Sequence, residues 1–179
     1  MGRFLRKDDI KDLRERVQGA LALGEILVPQ GSKVEGFSFK EGEVFSVDGE
    51  PSFFADDRGM IIPLLVYVVK FSLPLPHITV DMKAVPHVCN GADIFRPGVK
   101  NIDDSIRTGQ IVIVVDEKNV KPICVGTSLL EASSMQEAKQ GKVVKNIHYV
   151  GDALWDFSRS LDKSLPKSNK TSHQLKEPD

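Results

Sequence analysis

The residues best suited to chemistry in this chain are the run Gly91-Ala92-Asp93-Ile94-Phe95-Arg96-Pro97-Gly98-Val99. Two glycines flank a span holding one arginine and one proline. Pro97 fixes its own φ and biases Arg96 away from helical backbone, which predicts a stiff loop. Such a loop presents main chain unshielded by side chains, and its guanidinium can form charge-assisted bonds to a phosphate. The same residues also suit a plain chain reversal, with Arg96 paired to a surface carboxylate. A glycine loop alone does not separate these readings. Strand-like alternation predicts that Phe95 turns inward as a core plug while Arg96 turns outward.

Other chemistry finds less support. His87 and Cys89 stand two residues apart, with His77, Cys124 and His148 elsewhere. Residues two apart on a helix point in different directions, so no metal site is expected from them. Neither cysteine has an adjacent base and an orienting acid, so a nucleophilic centre is not expected either. His148 and Asp152 bracket Tyr149, and the expectation there is a structural hydrogen bond rather than an acid-base pair. No catalytic residue, metal or cofactor is assigned, and the chain reads as a non-enzyme.

The elements that must position the loop follow from periodicity. His77-Ile78-Thr79-Val80-Asp81 reads as a strand, and Ala84, Val85 and Val88 then recur at helical spacing until Asn90-Gly91 stops them. Ile111 to Val115 reads as a buried strand, Lys121 to Thr127 as its neighbour, Leu129 to Lys139 as a polar stretch with a helical turn, and Val143 to Tyr149 as a closing strand. Upstream, Asp9 to Leu23 carries Ile10, Leu13, Val17, Ala20 and Leu21 on one stripe, an amphipathic helix ending at Gly24. Short β-prone pieces follow at Glu25 to Val28 and Lys33 to Phe39. Val44 to Val47 and Ser52 to Ala55 face each other across Asp48-Gly49, a hairpin signal. The first half is thus α+β. Pro63 to Val69 mixes β-branched residues with a proline suited to a helix start, and both assignments stand on residues alone. Pro74 and Pro76 predict an extended, stiff connector between two domains. From Ser158 the chain is rich in Lys, Ser and Pro, and a disordered tail over 158–179 is expected.

With 179 residues and a formal net charge of −1, the chain has the makeup of a water-soluble globular protein without a broad cationic coat. A nucleic-acid contact in such a chain would have to read shape. Two cysteines without a close pairing motif argue against a disulfide framework and for a reducing, cytoplasmic setting. The apolar run Met60 to Val69 is too short to span a bilayer.

Val80-Asp81, the Gly91 to Val99 run, Val125-Gly126 and the stretch Gly141 to Trp155 (GKVVKNIHYVGDALW) together resemble a PUA domain, the RNA-binding barrel found on pseudouridine synthases and archaeosine transglycosylases. Joined to VDGEPSFFADDRGMIIPLL upstream, they are most similar to the translation-machinery-associated family that includes the malignant T-cell-amplified sequence protein. The likeness runs from about Val47 to Trp155. It implies an α+β pre-PUA domain over 1–72, with Pro63 to Val69 helical, and a mainly-β PUA pseudo-barrel over 75–157. It also implies binding of structured RNA, tRNA or small-subunit ribosomal RNA, in an initiation- or recycling-like role, and contact with the small ribosomal subunit. The implied RNA-binding residues are Lys83, Gly91, Ala92, Asp93, Arg96, Pro97 and Gly98. Lys83 takes a position where the family usually has glycine, so it either adds an RNA contact or marks a different local backbone. Family precedent further suggests a protein partner with an initiation-factor-like domain. Two other readings remain: a targeting subunit for tRNA modification, akin to the archaeosine transglycosylase modules, or a protein-docking module with little RNA affinity.

Overall fold

Apolar spacing and turn chemistry set most elements in place. In the computed structural model, which describes residues 1–167, these divide into two units, Met1–Ser72 together with 157–167, and Leu73–Asp156.

In the first unit, a short edge strand β1 (Arg3–Phe4) precedes helix α1 (Lys7–Leu21), whose Leu13, Val17 and Leu21 are buried at the spacing the stripe demands. The helix does not stop at Gly24. Ala22 takes the left-handed conformation at φ 56° and donates its amide to Gln18 O, while Gly24 opens a second helix, α2 (Gly24–Leu27), in place of the strand expected there. Gly24 is required by space, since a Cβ would stand 2.7 Å from Arg14 O. Strands β2 (Val34–Phe39), β3 (Gly42–Val47), β4 (Glu50–Asp56) and β5 (Ile61–Pro63) complete an antiparallel meander in the order β1-β2-β3-β4-β5. Asp48 and Gly49, at φ 52° and 86°, make the tight turn between β3 and β4 that the hairpin signal predicts. Leu65–Lys70 is helical (α3), as the resemblance implies, but Pro63 does not open it: Pro63 ends β5 opposite Phe53, and Leu64 is the N-cap.

The second unit holds β6 (His77–Val80), α4 (Val85–Val88), β7 (Ile94–Phe95), a 3-10 turn at Arg96–Gly98, β8 (Val99–Ile102), β9 (Ile111–Asp116), β10 (Pro122–Ser128), α5 (Ala132–Glu137) and β11 (Lys142–Tyr149). Its strands run β7-β11-β10-β9-β6-β8, antiparallel except for β6 on β9, and curl into a nearly closed pseudo-barrel. Ile78, Val80, Ile94, Val112, Val114, Cys124, Met135 and Val144 fill its core. The chain is therefore an α+β domain followed by a mainly-β pseudo-barrel.

The tail expected from Ser158 is instead helical as far as Ser164, the last helix being α6 (Ala153–Ser164). Leu154, Ser158 and Leu161 are buried at helical spacing, the Phe157 ring lies 5.0 Å from that of Phe39, and Asp162 pairs with Lys70 and Lys167. The short apolar stripe is diluted by lysine and serine, so composition alone does not reveal it. Residues 168–179 of that expectation lie outside the described residues. Among the described residues, no helix is long and apolar enough to cross a membrane.

Candidate nucleic-acid interface

The loop 91–98 is built from beneath. Gly91 closes α4 at φ +92°, a conformation that disfavours side chains, and a Cβ there would also stand 3.2 Å from the Tyr149 ring. Its amide donates to Val88 O, and that of Ala92 to His87 O, at 3.1 and 3.0 Å. The amides expected to be bare are thus spent on ending the helix. Asn146 braces the turn: its Nδ2 donates to Val88 O at 3.0 Å and to Ala92 O at 2.9 Å, and its own amide donates to Asp93 Oδ1 at 2.8 Å. Asp93 Oδ2 meets Lys142 Nζ at 2.7 Å. Lys142, with the Asn146 amide second, holds the Asp93 carboxyl below its ordinary value.

Arg96 and Phe95 reverse the expected arrangement. Ile94 is buried, and Phe95 is the residue turned out, 52% exposed. Arg96, beginning the 3-10 turn, is no longer in alternation. Its Nε donates to Met135 O at 2.6 Å, its Nη1 to Val99 O at 3.1 Å and its amide to Gly141 O at 2.8 Å. The guanidinium is a strut between the turn and α5 rather than a free cation, because two carbonyl oxygens at the end of α5 and the start of β8 need donors. Gly98 lies against the start of α4: a Cβ there would approach the Ala84 Cβ to 3.2 Å, and its carbonyl accepts the Asp81 amide at 2.9 Å. Asp81 Oδ1 in turn accepts the Ala84 amide at 2.8 Å, placing exposed Lys83 in the turn beside the loop. Gly91, Ala92, Phe95 and Pro97 are exposed, with Lys139, Lys142 and Lys145 exposed on or just before neighbouring β11.

The structure brings Gly91, Ala92, Asp93, Arg96, Pro97 and Gly98 into one loop and sets Lys83 at its edge. Sequence reasoning passed over Asn146 and Met135, whose contributions reach the loop from about 40 to 50 residues away along the chain. Only the likeness of the segment from Asn146 onward to a known family hinted at the first.

His148 is buried, its Nδ1 2.8 Å from Asp152 Oδ2, and Asp152 also accepts the amides of Tyr149 and Trp155 at 2.9 and 2.7 Å, capping α6. Burial would raise the Asp152 carboxyl, but the His148 bond and these amides hold it below its ordinary value. Burial raises both thiols, Cys124 strongly, which makes them poor nucleophiles. Among the described residues, no group of three or more His, Cys, Asp or Glu is arranged to hold a metal.

A curled six-stranded sheet with this glycine loop at its rim is the layout of a PUA domain, and residues 76–150 match that family. An uncharacterised protein of Methanocaldococcus jannaschii is 38% identical over 156 residues, 86% of this chain and 94% of its own length. The conserved PUA domain protein of Thermoplasma acidophilum superposes with a TM-score of 0.71 at 28% identity, covering 88% of this chain and 99% of that one. Translation machinery-associated protein 20 of Saccharomyces cerevisiae is 30% identical over 139 residues, 74% of this chain and 76% of its own. The chain belongs to the PUA-domain family that contains translation machinery-associated protein 20.

Proposed function

We propose that this protein binds structured RNA in translation, tRNA or small-subunit ribosomal RNA, in an initiation- or recycling-like role, and that it does so in the cytoplasm without catalysing a reaction. The observation that carries this reading is the braced loop 91–98. Its outer side offers Gly91, Ala92 and Pro97-Gly98 as a low surface for a sugar-phosphate, with Lys83 on one edge and Lys142 on the other. Asp93 and Arg96 serve from beneath, Asp93 by orienting Lys142 and the Asn146 amide, Arg96 by pinning the turn. With a net charge of −1 and few cations at the rim, recognition rests on fit more than on electrostatic attraction. The name of the yeast relative supports a role in translation, and docking on the small ribosomal subunit beside a partner with an initiation-factor-like domain fits that role.

Titration of labelled tRNA and of small-subunit ribosomal RNA fragments across a range of salt tests the reading. Replacing both Lys83 and Lys142 with glutamate is expected to lower affinity about tenfold or more and to flatten the salt slope by about two. A wild-type protein that binds neither RNA at low salt rejects it.

A further inference from the structure

Val120 is strained, and packing does not offset the strain. It stands at φ 53°, a left-handed conformation that costs a β-branched residue most, yet its side chain points into solvent and is 65% exposed. The turn asks only for the backbone: the Val120 amide donates to Asp116 O at 3.1 Å, and glycine or asparagine would take up that conformation at less cost. Strain kept for the sake of an outward side chain points to something that side chain meets.

Met82, also exposed, lies at the same end of the pseudo-barrel. β6 and β9 run parallel and finish together, Val80 beside Asp116, so the turns that follow them crown one end. They are stitched there: the Glu117 amide donates to Val80 O at 3.0 Å, and Glu117 Oε1 accepts the Met82 amide at 3.1 Å. β10 starts at this end with Pro122, whereas Phe95 and Lys142 lie past its other end, so the two surfaces are separate. The outward, unpaired charges here are cationic. Lys118 and Lys121 are exposed and, among the described residues, have no ion-pair partner. The neighbouring carboxylates are turned to amides instead, Asp81 to that of Ala84, Asp116 to three in its own turn and Glu117 to that of Met82.

We propose that this end is a docking surface for an acidic protein segment, in which one large apolar side chain seats on Val120 and Met82 while flanking carboxylates meet Lys118 and Lys121. Nucleic acid fits less well, because two aliphatic side chains offer no ring on which a base could stack. A second copy of this chain fits less well too. Among the described residues, its exposed Met1 and Phe4 lie beside Arg3 and Arg6, and Val69 lies beside Lys70, so docking would set cation against cation. This docking needs no contact with RNA.

The test titrates the full isotope-labelled chain with a blocked nonapeptide of alternating aspartate and glutamate around one central phenylalanine. Amide resonances of Met82 and of Glu117 to Lys121 are expected to shift in step. Affinity is expected to fall about tenfold for a peptide with alanine at its centre, for Val120→Asp, and for Lys118→Glu combined with Lys121→Glu. Aspartate tolerates left-handed backbone, so Val120→Asp is expected to unfold no earlier than wild type on heating. No shift of these amides at millimolar peptide, shifts confined to other residues, or an affinity that survives Val120→Asp overturns the docking surface. A stem-loop RNA that moves these amides where the peptide does not overturns the acidic segment as its occupant.

Discussion

Two turns of the pseudo-barrel are each organised by an aspartate, and they are organised differently. At the β9–β10 turn, buried Asp116 collects the amides of Lys118, Asn119 and Lys121 at 2.9, 2.6 and 3.1 Å, all within five residues of itself. At the loop 91–98, Asp93 reaches instead to Lys142 and Asn146 on β11, and Arg96 reaches to Met135. The first turn is self-contained, and at its tip Val120 sits at φ 53° and 65% exposed. The second is anchored to two distant elements, β11 and α5, and holds its exposed ring steady. A surface that must meet a ligand in one geometry needs supports that do not move with the loop, and distant elements supply them.

Breaking the distant supports should therefore cost far more than disturbing the local turn. Arg96→Glu sets a carboxylate against the Met135 and Val99 carbonyls, and urea unfolding should show a loss of about 3 kcal/mol. That outcome would contradict the sequence expectation of an outward Arg96. Asn146→Ala removes the side-chain donor from Ala92 O and the second donor from Val88 O, which keeps the Gly91 amide, and should cost about 2 kcal/mol by the same measurement, with faster hydrogen exchange at Gly91 and Ala92. Val120→Gly relieves a left-handed β-branched residue at some entropic cost, and a gain of about 0.5 kcal/mol, with unchanged RNA affinity, would mark the β9–β10 turn as independent of the site.

The smallest effect sharpens the comparison through pH. Because Asp93 is more acidic folded than unfolded, its contribution is complete above the unfolded carboxylate value of about 3.9 and fades as pH falls through the lower folded value. The Asn146 amide resonance should therefore stay constant on acidification to about pH 4 and shift only below it, and Asp93→Asn should abolish that shift. A shift centred above the ordinary carboxylate value would mean that Lys142 does not hold Asp93 in solution.

Period and punctuation along the chain are enough to dictate helix α1, the Asp48-Gly49 hairpin, the strands β9 to β11 and the closure of α4 at Gly91, because the apolar period and the turn residues that mark each lie within a few positions of one another. Pro63 to Val69 lay at the limit, with helix and strand equally written in its residues. The glycines and Pro97 likewise announce a stiff loop. Which of Phe95 and Arg96 faces outward was decided elsewhere, by an unpaired carbonyl on α5 and by Ile94 claiming the core opposite Val144. The burial of Leu161 in α6 is of the same kind. Each depends on a partner that chain folding brings near from far along the sequence, and no local pattern encodes its arrival.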